Sequence, residues 1–190
     1  MELLDIVDEN NELTGQVEER KIVHEKCLWH RHVSSWIMNK NGEILLQRRS
    51  ENKPRNSNKW AKTGGHVDGG ESVEDAIRRE VKEEIGIDIP KEQIEILEIF
   101  KSKDSNNKYF AYNFLFVVDY KIEDYTLQKE EVAEVKYITI EEMEQIKKNN
   151  DSNYTFCKWA DEYFYREIDI LKQKRKTLML KAIVEKVNNQ

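Results

Sequence analysis

Residues 65 to 87 read Gly-His-Val-Asp-Gly-Gly-Glu-Ser-Val-Glu-Asp-Ala-Ile-Arg-Arg-Glu-Val-Lys-Glu-Glu-Ile-Gly-Ile. The stretch fits, without a gap, the pattern Gly, five residues, Glu, seven residues, Arg-Glu, an aliphatic, any residue, Glu-Glu, any residue, Gly, an aliphatic. Seven positions of that pattern accept one residue type, so a chance match at any start is on the order of one in 10^8. An ordinary acidic amphipathic helix after a glycine turn is the bland alternative.

Gly64, Gly65, Gly69 and Gly70 mark a tight loop where backbone can approach a ligand closely. A helix should follow. Ser72 is its expected N-cap, with Asp75 as a shorter capping-box partner. Glu71, Glu74 and Asp75 suit the positive end of the helix dipole. Gly86 is placed to end the helix near Glu84 or Ile85. Val73, Ala76, Ile77, Val81 and Ile85 recur at spacings of three and four, which predicts the buried stripe.

Glu80, Glu83 and Glu84 stand at i, i+3 and i+4, so their carboxylates are expected to converge. Bare, such like charges repel, whereas a divalent cation would turn the repulsion into binding. Hard oxygen donors suit Mg²⁺ or Mn²⁺ rather than zinc. A solvated acidic face is the competing account of the same three residues.

The segment closely resembles the signature of the Nudix family. The resemblance implies an α/β/α sandwich with a mixed sheet and hydrolysis of a diphosphate linked to another group. It implies metal ligation by Glu80, Glu83, Glu84 and the Gly65 carbonyl. Glu71 and Arg79 would orient those carboxylates rather than react. Glu83 is the first choice for the base that deprotonates water, with Glu80 and Arg79 beside it. Glu131, ahead of a late strand, is a weaker candidate. The metal would neutralise phosphate charge and activate water.

Likeness extends outward, over roughly residues 1 to 145. Leu28 to Ile37, Ile44 to Ser50, Trp60 and Gly65-His66-Val67 are similar to the branch related to isopentenyl-diphosphate isomerase. Isomerases of that branch carry a catalytic cysteine just before the Gly-His pair, where this chain has Gly64. They also carry acidic residues in the strand that here reads Tyr109-Phe110-Ala111-Tyr112. His30 and His66 match positions where the isomerases bind a second metal, with hydrogen bonding to nearby backbone as the more ordinary role of each; His24 and His32 are weaker candidates. His66 is also a substrate-binding candidate. Arg48, Arg49 and Lys53 are candidates for phosphate contacts. Adjacent strand residues face opposite ways, so only one of Arg48 and Arg49 should reach a site. Trp60, Tyr109 and Tyr112 offer a base-stacking surface, with core packing as the alternative.

A chain of 190 residues suits one domain with an appendage. Residues 1–150 are expected to form the catalytic domain, and 151–190 a helical extension packed on it or on a second subunit. The net charge of −6 argues against a nucleic-acid polymer as partner, leaving a small-molecule diphosphate and a possible homodimer. Cys27 and Cys157 share no paired-cysteine motif, which fits a reducing, cytoplasmic setting. No stretch approaches a membrane span. Three functions stay in play: a metal-dependent hydrolase of nucleoside diphosphate derivatives, an isomerase, and a nucleotide sensor that does not cleave.

Along the chain, strands are expected over Met1–Glu9, Leu28–Met38 and Glu43–Arg49, then over Ile94–Ser102, Tyr109–Tyr120 and Val132–Ile138. Asn10-Asn11 and Thr14-Gly15 read as a turn. Thr139 with Glu142 reads as a capping box opening a short helix. From Tyr154 onward the chain has no Gly or Pro, and its apolar residues recur at helical spacing, which predicts one or two helices.

Overall fold

The computed structural model describes residues 2–103, 107–151, 154–156 and 161–188, the side chains of 161 and 162 excepted. Cys157, Trp159 and part of the expected turn between residues 103 and 108 lie outside them. The fold is of the α/β class, a mixed sheet with helices and a C-terminal helix. Two compact units share the chain. The first comprises Met1–Trp36 and Lys62–Phe116, and the second Ile37–Ala61 and Val117–Gln190.

In the first unit, β1 (Leu3–Val7) pairs antiparallel with β2 (Leu13–Glu19). The β2 strand corrects the sequence reading, which had a turn at Thr14-Gly15. Its residues are mostly exposed, so no apolar alternation announced it, and Gly15 takes a left-handed φ of 79° within it. The real turn lies just before, where Asp8 accepts from the backbone of Asn10 and Glu12. Leu4, Ile6 and Val23 pack together as a small core, Val23 coming from α1 (Arg20–Glu25).

The long strand β3 (Trp29–Asn39) begins in this unit, where His32 to Ser35 pair with β6 (Thr63–His66). The β7 strand (Glu95–Lys103) pairs antiparallel with β8 (Lys108–Val118). Between them in sequence, α2 (Val73–Ile85) forms as its spacing predicts. Ser72 Oγ accepts from the Asp75 amide, and Gly86 closes the helix at φ 79°. Ala76, Ile77, Val81 and Ile85 are fully buried. Glu84 joins that stripe, being only 5% exposed, three residues beyond Val81.

In the second unit, β4 (Ile44–Arg49) is the organising strand. It meets the end of β3 at Met38, β5 (Trp60–Ala61) on one register and β9 (Val132–Ile138) along its length. These ladders are antiparallel, and a parallel bridge joins Trp60 to Phe156. Thr139 and Glu142 cap α3 (Ile140–Asn149) reciprocally. One helix, α4 (Asp161–Asn188), fills the tail. Its Phe164, Ile168 and Leu171 are fully buried, while Lys172 and Arg175 pair with Glu144 and Glu141 of α3. Lys172 and Arg175 thereby tie α4 to α3.

Burial of a large aliphatic side chain contributes about 1.5–3 kcal/mol, and a side-chain N-cap about 1. Replacing Ile77 by Ala should cost about 2–5 kcal/mol of unfolding free energy, and Ser72→Ala about 1, in denaturant titrations. Equal costs for the two would contradict the packing described.

Candidate functional site

Arg79 lies at the centre of the first unit's polar cluster. Its Nε and Nη2 donate to the two carboxylate oxygens of Glu71 at 3.0 and 2.9 Å. Nη2 also donates to the His66 carbonyl at 3.0 Å. Nη1 donates to Glu80 at 2.8 Å and reaches Glu83 at 3.4 Å. A guanidinium has five N–H donors in a rigid fork, and here every one finds an acceptor. The bond to Glu71, chiefly, pushes the Arg79 pKa above its ordinary value. Glu71 closes its own loop by accepting from the Asp68 amide at 3.2 Å. One side chain thus ties the loop, the end of β6 and two turns of α2 together.

Gly65 explains why the loop needs glycine. A Cβ built there would stand 2.2 Å from Glu80 Oε1, so the carboxylate rests directly on the backbone. Burial pushes the Glu80 carboxyl above its usual range, Arg79 opposes this, and the charges of Glu83 and Glu2 add to it. Glu83 differs sharply, with 54% of its side chain exposed. The expected trio is therefore unequal: Glu80 rests against Gly65, Glu83 faces solvent, and Glu84 is buried with the apolar stripe.

A second cluster was only half visible in the sequence. His24, His30 and His66 bring one ring nitrogen each within 4.8 Å of one another. His30 Nδ1 lies 3.1 Å from the Leu28 carbonyl, which selects the tautomer protonated there. Its Nε2 is then a lone pair, buried with no hydrogen-bond partner. Glu2 reaches to 3.4 Å from His66 Nδ1. His32 stands opposite His66 in the β3–β6 register. Burial is the main cause holding the His30 ring down to about 4 and His32 to about 3, and it pushes His66 down as well. Neutral imidazoles with a fixed tautomer are chemically fit to ligate a divalent cation. The sequence ranks His24, like His32, below His30 and His66, and gives no sign of Glu2. No local spacing marks His24 or Glu2, because α1 and β1 bring them in from elsewhere in the chain.

The remaining charged candidates belong to the second unit. Lys53 Nζ donates to Glu131 Oε1 at 2.6 Å. Arg48 sits opposite Glu134 in the β4–β9 register and donates to it at 3.1 Å, and to Asn58 at 2.9 Å. Arg49 Nε is buried without a hydrogen-bond partner. Of the aromatic candidates, Trp60 and Tyr112 are buried, Trp60 against Tyr154 and Tyr112 accepting from Asn11. Core packing explains those two. Tyr109 is half-buried beside His30 and His32.

Comparison with known proteins follows from this geometry. The NUDIX domain family model matches residues 28–160. An uncharacterized Nudix hydrolase of Clostridium acetobutylicum is 37% identical over 150 residues, covering 75% of this chain and 72% of that protein. Isopentenyl-diphosphate Delta-isomerase 2 of Photorhabdus laumondii is 26% identical over 171 residues, 88% of this chain and 96% of that one. A crystal structure of a Deinococcus radiodurans protein shares the fold at a TM-score of 0.69 and 23% identity, covering 87% of this chain and 98% of its own.

Two tests probe the site itself. Gly65→Ala pushes a methyl group into the movable end of Glu80 rather than into backbone. It should cost at most about 2 kcal/mol of stability while displacing that carboxylate, read as weakened divalent-cation binding by calorimetry. The histidines give a pH dependence. A ring whose folded pKa lies below its unfolded value of about 6.5 favours folding when neutral. That contribution is complete above pH ~6.5 and fades as pH falls toward 4, the His30 value. The denaturation midpoint should drop across this window, less steeply in His30→Gln; a flat wild-type profile would refute the buried neutral cluster.

Proposed function

The chain belongs to the Nudix family and acts on phosphoric anhydrides, and from that premise we propose that it hydrolyses the diphosphate linkage of a nucleoside diphosphate derivative with Mg²⁺ or Mn²⁺. The observation that carries this reading is the complete acidic box gathered by Arg79 against the Gly65 backbone.

The donor set fits a hard divalent cation. Glu80, Glu83 and Glu84 with the Gly65 carbonyl offer only oxygens, and Glu80 is a largely buried carboxylate whose desolvation disfavours its charged form. When bound, the cation supplies charge neutralisation at the phosphates and activation of water. The protein's own groups do the positioning. Arg79 and Glu71 hold Glu80 in its rotamer, leaving little reorganisation for the reaction itself. Glu83, on the solvent side, takes the proton of the attacking water. Glu131 is the weaker choice for this role, because Lys53 already neutralises it. Arg48, Arg49, Lys53 and His66 are assigned to substrate contacts. The leaving phosphoryl oxygen carries away the electron pair of the cleaved P–O bond.

Residues 1–150 are assigned to the catalytic domain and 151–190 to its helical extension. A cytoplasmic setting agrees with the fact that no described helix is long and apolar enough to cross a membrane.

The histidine cluster favours one second reading, an isomerase-type enzyme with its metal at His24, His30 and His66. Gly64 opposes that reading. A Cβ there would stand 2.2 Å from the Val33 carbonyl oxygen and 2.7 Å from Ser34 Cα, both backbone. The position that carries the thiol in the isomerases therefore has no room for one with this backbone. Conversion of isopentenyl diphosphate to its dimethylallyl isomer by the purified protein would establish this second reading.

Glu83→Gln should lower turnover on a panel of nucleoside diphosphate derivatives by about 10²–10⁴. Stability should stay within about 0.5 kcal/mol, since the side chain is exposed. Undiminished release of monophosphate or phosphate by this variant would remove Glu83 from the mechanism. Tight nucleotide binding with no cleavage by the wild type, whatever the metal, would favour a sensor instead.

A further inference from the structure

Glu2 is anchored twice by one residue. Its backbone carbonyl accepts from the Arg20 amide at 3.0 Å, and its Oε2 accepts from Arg20 Nη1 at 2.7 Å. The first of these bonds continues the ladder in which Leu3 stands opposite Glu19, so the pairing of β1 with β2 delivers Glu2 to its place. Its Oε1 is left facing the His66 ring, 3.4 Å from Nδ1.

A neutral imidazole carries its proton on one nitrogen and a lone pair on the other. A carboxylate beside Nδ1 draws the His66 proton to that side and leaves Nε2 as the lone pair. His30 is set the same way by a different acceptor. Its Nδ1 lies 3.1 Å from the Leu28 carbonyl, and its Nε2 is buried with no hydrogen-bond partner. The two rings stand 5.4 Å apart, and His24 adds a third ring 5.2 Å from each. One nitrogen of every ring comes within 4.8 Å of the others. Uncharged nitrogen donors gathered this closely suit a borderline cation such as Zn²⁺, Co²⁺ or Mn²⁺ better than Mg²⁺.

The likeness to the isomerase branch already points to an ion at His30 and His66. It does not point to Glu2. The strand that bears acidic residues in those enzymes reads Tyr109-Phe110-Ala111-Tyr112 here, and the carboxylate beside the histidines comes instead from ahead of β1. We infer that Glu2, anchored by Arg20, is a positioning residue for a cation held by His24, His30 and His66, and that it makes Nε2 the ligating nitrogen of His66. Glu2 meets the ring and not the ion. An outer carboxylate in that role fixes the ligand's tautomer and raises its basicity. An ion there takes the His66 ring out of direct substrate contact, whichever reaction the chain catalyses.

Two measurements on the full-length protein test this. In the metal-free form, ring-¹⁵N-labelled histidine distinguishes the tautomers by NMR. His66 should carry its proton on Nδ1 in the wild type and shift toward the Nε2-protonated form in Glu2→Ala. The second is titration with Co²⁺, whose visible ligand-field bands are much stronger with several imidazole ligands than in an all-oxygen site. The wild type should develop these bands and His30→Gln should lose them. Glu2→Ala should keep the bands but raise the dissociation constant about 10–100-fold. A wild-type His66 protonated on Nε2 overturns the role of Glu2, and this reading needs no variant to fold. Co²⁺ affinity unchanged in Glu2→Ala overturns it too. Bands that survive His30→Gln, or a wild type that shows none, overturn the ion. Neither readout requires turnover, so a failure of diphosphate hydrolysis leaves the inference standing.

Discussion

A single guanidinium organises the first unit's site. A helix that carries Glu80, Glu83 and Glu84 within one turn, beside a loop carrying Glu71, would repel itself. Arg79 answers that repulsion from within the same helix. Its fork engages Glu71 with two parallel bonds, takes the His66 carbonyl, and reaches Glu80 and Glu83 with the remaining donors. Lysine in its place would offer a point charge with three donors and could not hold the same planar geometry. The loop conformation and the carboxylate positions therefore depend on one side chain.

With that fork in place, identical residue types acquire different chemistry. Glu80 is pressed against Gly65, partly desolvated and raised in pKa. Glu83, one turn further on, keeps its contact with water. Glu84, the next residue, is only 5% exposed. Three carboxyls within one helical turn thus differ in exposure, and with it in how readily each is charged. The two glycines before the helix divide in the same way. Gly65 makes room for a carboxylate, whereas Gly64 makes room for the adjacent β3 backbone, which is why a larger residue is excluded there.

The histidines show a different route to a polar site. His30 and His66 lie far apart in sequence and meet because β6 pairs with β3, while His24 arrives from α1 and Glu2 from just ahead of β1. Desolvation holds the rings neutral, and the Leu28 carbonyl settles which nitrogen of His30 carries its proton. The isomerase likeness and the hydrolase box thus coexist in one unit, and the backbone around Gly64 separates them chemically.

Much of this was legible in the residues themselves. Ser72, the three-and-four spacing of Ala76, Ile77, Val81 and Ile85, and Gly86 specified α2 from cap to terminus, because helix formation is local and its signals lie within a few residues of one another. The box pattern likewise identified the acidic set and the family. Other features needed the folded chain. The β2 strand, mostly exposed and polar, carries no apolar alternation and exists because β1 offers it a partner. Which histidines meet, and where Lys53 and Arg48 find Glu131 and Glu134, depend on strand pairing between residues about 30 to 90 positions apart in the chain. Spacing along a helix reports which side chains share a face; only the packing against that face decides which of them are dried, which stay wet, and hence what each can do.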